Sequence, residues 1–485
     1  MLVPLILRPG IDKETTRYGA EGGWVDGDKV RFWMGNPQAI YGWQDIGTGS
    51  TTLGICRGLF AYEDLSGTVY VAVGTSQRWY IWSGGIFYDV TPFRKTDIVS
   101  NPFTTTAQSN TVVVTDIAHG AQTGDVVNVS NADPVGGVTI SGDYPVTRID
   151  PVTLSIQIPQ AATLSVTGGG ANVNLSFYIN VGLESGSAGT GYGVGAYGVG
   201  GYGTSRAGAP RAFRSVRLWS FDDFGQDVIG AYAGGPLYYF STAGGLKTQA
   251  QQITSGPSSC ETLLVGKPDR HVIAYGADGD PMLVRWTSAG LYTDWTATQS
   301  NDAGSQRLQG GSRIVGAVQG ENATLIWTDT SLIQQTFVGY PYTFGFKEIS
   351  TGCGLVAMKA AVIHNSIAYW MGVDNFYLYD GRVQPIPCTV RRYVFQDINL
   401  AQRAKFHAGV CRPFNEIWFF YCSSGSNEID RYVAYSTIEG TWHIGNMART
   451  AYVDGKSLLA PIATDPGGFL YKHETGTTAN GAPLA

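Results

Sequence analysis

The chain has 485 residues, enough for one large domain with an inserted or appended unit. Only 14% of the residues are charged, against roughly 25% in an average soluble domain, and Gly, Thr, Ser and Asn take up the polar share, as suits short strands joined by tight turns. With 32 Lys and Arg against 38 Asp and Glu, the net charge of −6 argues against a surface that neutralises phosphates over a wide area, and leaves open a pore through which DNA slides ungripped.

The N-terminal run Met1-Leu2-Val3-Pro4-Leu5-Ile6-Leu7-Arg8 is apolar but lacks a basic leader region and a small-residue cleavage site, so it does not read as a signal peptide. No stretch approaches the ~18 consecutive apolar residues of a membrane helix. The first predicted element is a hairpin, Lys29–Trp33 and Ala39–Trp43 around a turn at Met34-Gly35-Asn36-Pro37. A four-strand unit follows over Gly54–Tyr62, Val69–Val73, Arg78–Trp82 and Ile86–Val90. The rhythm changes at Thr91-Pro92, and residues 104–180 carry Val, Thr, Asn and Asp with no Trp. Strand candidates there are Thr111–Asp116, Val126–Ser130, Tyr144–Ile149, Thr153–Ile158 and Val173–Ile179, which predict a small separate β domain. A Gly-rich tract, 189–203, comes next, with Tyr192, Tyr197 and Tyr202 at a spacing of five that fits neither helix nor strand. It reads as a flexible linker or as a long loop whose aromatics pack only in an assembly.

From Val216 onward an aromatic rhythm returns, with units starting near Arg214, Cys260, Ser312, Ala357, Arg403 and Tyr452. Its mark is alternating aromatics before a turn, as in Trp79-Tyr80-Ile81-Trp82, Leu237-Tyr238-Tyr239-Phe240, Phe376-Tyr377-Leu378-Tyr379 and Phe469-Leu470-Tyr471. A recurrence of about 35–45 residues is the period of propeller blades. Such a unit cannot bury both faces alone, and radial stacking of its copies gives a β-propeller. The last unit has two clear strands and the hairpin at 29–43 is unpaired, so the two are expected to meet and close a ring of about seven blades. The expected organisation is therefore all-β: residues 1–91 the closing hairpin and first blade, 92–187 an inserted β domain, 188–211 the Gly/Tyr tract, and 212–485 the remaining blades. The best helical candidate, Tyr393–Lys405, is short.

Little of the sequence carries chemistry. No G-x-S-x-G nucleophile elbow is present, and the six histidines (His119, His271, His364, His407, His443, His473) form no HxH or HExxH. Asp26-Gly27-Asp28 and Asp278-Gly279-Asp280 resemble fragments of calcium loops but do not continue to the required Gly and Glu. The Gly tract carries no Lys-Ser/Thr and follows no apolar strand into a helix, unlike a phosphate loop. Asp222, Asp223, Asp294, Asp329, Asp374 and Asp380 are read as turn acceptors rather than paired glycosidase carboxylates. Six scattered cysteines without a CxxC read as buried thiols from a reducing compartment. The densest positive cluster is Arg391-Arg392 with Arg403 and Lys405, open to three readings: a DNA channel lining, partners for a neighbouring subunit's acids, or a solvated loop.

An ordered set of short motifs runs through the chain. It opens with Pro9-Gly10-Ile11-Asp12, Thr15-Thr16-Arg17-Tyr18, Ala20-Glu21-Gly22-Gly23-Trp24, Asp28-Lys29-Val30-Arg31-Phe32 and Gly42-Trp43. It continues through Trp219-Ser220-Phe221-Asp222-Asp223-Phe224-Gly225, Asp269-Arg270-His271, Ile326-Trp327-Thr328-Asp329, Tyr369-Trp370-Met371-Gly372, Cys388-Thr389-Val390-Arg391-Arg392 and Asn415-Glu416-Ile417-Trp418. This set resembles the tail-tip, or nozzle, proteins of short-tailed bacteriophages. The stretch Val114–Val127 is also similar to a small β module of phage tail proteins, in which His119 is a turn residue. The resemblance implies a non-enzymatic virion protein of the tail, assembled in the host bacterial cytoplasm and needing no cofactor or metal. It implies a ring, typically a hexamer, below the portal and its adaptor and beside tail fibres or spikes. That ring continues the DNA channel, reads no sequence, retains the packaged genome and opens for ejection. Tyr192, Tyr197, Tyr202, Arg391 and Arg392 are the candidate channel or subunit contacts. Two rival readings are a carbohydrate-binding or carbohydrate-cleaving propeller of the tail and a head-completion or adaptor protein.

Overall fold

Tight turns set the architecture. Antiparallel strands of two to nine residues alternate with turns that place Gly at positive φ, as at Gly67, Gly84 and Gly225. The computed structural model describes residues 7–16, 18–185, 216–267, 269–339, 341–455 and 458–484.

Within these residues seven small sheets are arranged as a β-propeller. Blade I runs from Cys56–Glu63 to Ile86–Asp89 and blade II from Trp219–Phe224 to Gln251–Gln252. Blade III spans Thr262–Val265 to Gly304–Arg307, blade IV Ile314–Gln319 to Thr343–Thr351, and blade V Ala361–His364 to Val383–Pro385. Blade VI runs from His407–Cys411 to Trp442–Asn446, and blade VII begins with Ala451–Val453, Ile462–Thr464 and Leu470–His473. The first strand of each blade packs against the first strands of its two neighbours, and blade VII meets blade I, so these strands form the innermost ring.

Close approach at that ring depends on missing side chains. A Cβ on Gly58 would stand 2.7 Å from Trp219 Cβ, one on Gly316 2.5 Å from the Met358 carbonyl oxygen, and one on Gly409 2.2 Å from the Tyr452 ring. In each case a glycine on one blade admits a residue of the next. Trp79, Trp219, Trp327, Trp370, Trp418 and Trp442 are fully buried between the sheets.

The ring closes with a strand from near the N-terminus, and that strand begins at Trp43, the last residue of the predicted hairpin. Trp43–Asp45 pairs antiparallel with Leu470–His473, Trp43 facing His473 and Asp45 facing Tyr471. The hairpin strands themselves, Val30–Trp33 and Asn36–Ala39, make a separate two-stranded sheet. Its turn is two residues long, Met34 (φ 51°) and Gly35 (φ 76°), so Asn36 and Pro37 lie in the second strand. Phe32 and Ile40 draw this hairpin into the core shared by blades IV to VI. The chain before it crosses the same region as an arm, with Ile11 N–H donating to the Trp442 carbonyl (2.9 Å) and Lys13 N–H to that of Thr389 (2.8 Å).

Between blades I and II lies an eight-stranded antiparallel sheet built from Phe93–Val99 to Val173–Tyr178. It has its own core of Phe103, Val112, Val127, Leu154, Leu175 and Phe177. His119 is buried there as a turn residue, its Nδ1 accepting from Ala121 N–H and its Nε2 donating to the Asp150 carbonyl, both at 3.0 Å. The predicted helix at Tyr393–Lys405 is two short pieces, Arg391–Gln396 and a 3-10 turn Leu400–Lys405, parted where the Asn399 side chain caps Ala401 N–H.

Candidate functional site

At the end of the propeller axis where the inner strands begin, several cations gather around a small cavity of about 40 Å³. Arg57 comes from the first strand of blade I, Lys359 and Lys405 stand just before those of blades V and VI, and His407 begins that of blade VI. Leu59, Leu218, Phe406, Thr450 and Tyr452 are among the rest of the wall. Arg57, Lys405 and His407 are each at most 5% exposed, and Lys359 is half-buried.

One carboxylate serves two of these cations. Arg57 makes a two-pronged contact with Glu428, Nη1 to Oε1 at 2.7 Å and Nη2 to Oε2 at 2.5 Å. Lys405 Nζ lies 3.4 Å from the same carboxylate and donates to Ser185 Oγ (3.1 Å) and the Asn427 carbonyl. Burial pushes the Glu428 carboxyl up, but the Arg57 hydrogen bonds and charge outweigh it and hold the group below its usual value. The Lys359 ammonium has no hydrogen-bond or ion-pair partner among the described residues. Burial alone lowers its ammonium to about 8, the Cys56 thiol opposing weakly. Burial likewise takes His407 down to about 3, so its ring is neutral at pH 7. Its Nδ1 faces the Lys405 carbonyl at 3.3 Å, which places the proton on Nδ1 and a lone pair on Nε2.

Lys359 is attached by its backbone to blade VI, where Ala408 N–H donates to its carbonyl at 2.7 Å. Its side chain reaches toward blade I, since Nζ is 3.3 Å from the place a Cβ would take on Gly58. Charged side chains thus span the axis at this level.

Among the other residues singled out in the sequence, Lys405 belongs to this mouth while Arg391, Arg392 and Arg403 are exposed elsewhere. Arg392 is 3.3 Å from Glu14 of the N-terminal arm, and Arg391 donates to the Asp374 carbonyl at 3.4 Å. Tyr192, Tyr197 and Tyr202 lie outside the described residues. The chain before them ends at the mouth, where Glu184 and Ser185 meet Arg57 and Lys405, and it resumes beside Leu183 through a bridge to Val216.

Two of the acids read as turn acceptors are not in turns. Asp222 and Asp223 lie in the first strand of blade II, and Asp222 accepts from Val265 N–H of blade III at 2.7 Å. Burial drives the Asp222 carboxyl up to about 7. Asp380 holds a turn through Arg382 N–H (3.2 Å), whereas Asp329 accepts from Ser312 N–H (2.8 Å), 17 residues away. Asp278 and Asp280 pair with Arg285 (2.5 Å) and Arg307 (2.8 Å). Among the described residues no group of three His, Cys, Asp or Glu is placed to hold a metal. No helix of these residues is long and apolar enough to cross a membrane.

Arg57, Lys359, His407 and Glu428 were not marked by any motif. One trace was present: a basic residue stands two positions before the first strand in four blades, at Arg217, Lys359, Lys405 and Arg449. Arg217 and Arg449 turn into their own blades, stacking on Tyr232 and on Trp43 and Tyr471.

No family model and no curated protein matches this chain. Solved structures with a similar course include the endosialidase of phage phi92, at 11% identity over 82% of this chain and 54% of that one, with a TM-score of 0.23. This chain therefore spans about half of that enzyme's length. The β-propeller domain of Cps50 (Swd1) from Myceliophteria thermophila is 7% identical over 55% of this chain and 85% of its own, with a TM-score of 0.35. An auxiliary nutrient binding protein from Bacteroides thetaiotaomicron is 11% identical over 78% and 98%, with a TM-score of 0.31. None of these likenesses bears on activity or partners.

Proposed function

We propose that this chain is a non-enzymatic structural subunit of a short phage tail, a tail-tip protein whose copies form a ring around the path of the DNA. The observation that carries the reading is the ordered set of N-terminal motifs together with what those residues do. Asp28 accepts from Asn446 N–H at 2.7 Å, and Arg31 lies between Glu416 and Glu474. Phe32 enters the core and Trp43 starts the closing strand. The motif thus specifies a strapped arm and a sealed ring of blades rather than a cleft with reacting groups, which suits a rigid building block.

The propeller axis itself is not the DNA path in this reading. Its mouth is spanned by Lys359 and Arg57 around about 40 Å³ of free space, whereas even the major groove of duplex DNA is about 12 Å wide. The lumen lies between copies, which repeat a heterologous contact around a rotation axis until it closes. The number of copies, six by the resemblance, the adaptor above and the fibres or spikes beside it follow from that resemblance alone.

Electron microscopy of the purified protein tests this. Rings with a central hole wide enough for a duplex are expected. Particles that stay monomeric, or release of reducing sugars from host polysaccharide that an Asp222→Asn or Asp223→Asn change abolishes, would replace the reading with that of a tail glycosidase.

A further inference from the structure

We propose that the axial mouth of the propeller is a binding site for a free, proton-bearing phosphate, anchored by the Lys359 ammonium. Three cations, Arg57, Lys359 and Lys405, converge on one cavity in a chain that is acidic as a whole. Among the described residues the carboxylate paired with these cations is Glu428, and it is taken by Arg57 and Lys405. Lys359 is left with three donors and no acceptor among the described residues, at the point where it crosses toward Gly58. An ammonium partly withdrawn from water without a counter-charge loses hydration, and an anion in the cavity compensates that loss.

Two wall residues carry a further unpartnered atom. Arg57 Nε is buried without a hydrogen-bond partner, and so is His407 Nε2. Arg57 Nε–H is a donor and suits any oxyanion. His407 Nε2 is a lone pair, because the proton is on Nδ1 toward the Lys405 carbonyl. It repels a bare anion and accepts from a P–OH group. Hydrogen phosphate offers both kinds of oxygen at neutral pH, whereas sulfate offers acceptors only. The cavity exceeds the ~10–15 Å³ that a single water needs and suits a compact group rather than a polymer. Every wall residue comes from one chain, so the site stands whether or not copies form rings.

Thermal melting and 31P line broadening with inorganic phosphate, and melting with sulfate at equal ionic strength, test the assignment. The wild-type protein is expected to melt higher in phosphate than in sulfate and to broaden the phosphate signal. Lys359→Met is expected to melt higher than wild type in chloride, since it removes an unpaired cation. It is also expected to bind phosphate about ten-fold more weakly or worse, the loss of one charged hydrogen bond. Lys359→Arg is expected to keep the response, which separates lost binding from lost folding. Equal responses to phosphate and sulfate, or an undiminished phosphate response in folded Lys359→Met, would overturn the proposal.

Discussion

Arg31 is wholly buried and faces two carboxylates, Glu416 at 3.1 Å and Glu474 at 2.7 Å, with Phe414 stacked 3.6 Å from its guanidinium carbon. His443 and Trp418 also contact Glu416, so its oxygens are satisfied despite their burial. Taking away the cation alone strands two buried anions. Arg31→Met is therefore expected to cost about 3–5 kcal/mol in urea unfolding. Adding Glu416→Gln and Glu474→Gln to it is expected to recover part of that loss. Asp222 gives a second prediction at this scale. Its carboxyl ionises near 7 in the folded chain, above the ordinary 3.8, so the folded state holds a proton that the unfolded state has released. Its contribution to stability thus falls as pH rises from about 4 to 7, by about 1.4 kcal/mol per unit at most. His407 works in the opposite sense, losing stability as pH falls from 6.5 toward 3. Melting Asp222→Asn beside wild type from pH 4 to 8 isolates the first effect: the variant is expected to be the more stable at pH 8, with the difference vanishing near pH 4.

Between elements, the glycines of the inner strands decide how closely blades approach. Gly409→Ala sets a methyl 2.2 Å from the Tyr452 ring, which is itself packed on Trp418 and Phe420. A cost of about 1–3 kcal/mol is expected from such overpacking, measurable by denaturant unfolding. The blades were legible because the aromatic rhythm falls on a fixed place, the third strand, in blades I, II, V and VII. Neighbouring sheets press there, and flat rings fill the wedge between them. Phe93–Val99 was not legible as a strand. It is an edge strand whose Arg94, Lys95 and Asp97 break the apolar alternation, and its pairing with Val173–Tyr178 supplies what its composition does not signal. Asp222 was misread because Asp-Asp beside Phe and Gly has the composition of a turn, and only the neighbouring blade offers the Val265 N–H that draws it inward. The axial cluster was hidden for a related reason. Arg57, Lys359 and His407 belong to blades far apart in sequence, and only ring closure brings them to one point.

At the scale of the molecule, the unit inserted after blade I enters and leaves at adjacent points. Phe93 pairs with Tyr178, and Ile179 N–H donates to the Pro92 carbonyl at 3.1 Å. A short Gly-Ser link from Pro92 to Ile179 therefore spans the cut without strain. The shortened chain gives up Arg78's contacts with Asp143 and Tyr178 and those of Asn180 and Val181 with Asp125, but keeps every blade strand. It is expected to retain one cooperative unfolding transition and its β-type circular dichroism; loss of cooperativity would show instead that the propeller leans on the insert.

The Arg31–Glu474 contact joins residues 443 positions apart, and the neighbouring Trp43–His473 pairing seals the propeller. During synthesis at about 5–20 residues per second, Arg31 and Trp43 leave the ribosome roughly 20–90 s before their partners are made. Through that interval blade VII lacks its inner strands, and the backbone edge of Trp43–Asp45 has nothing to pair with. A nascent chain in this state is an open fan with two sticky sides. Ribosome-stalled or prematurely ended chains will consequently depend on chaperones in a way the finished protein does not, and fully made chains withdraw that edge at the moment they close.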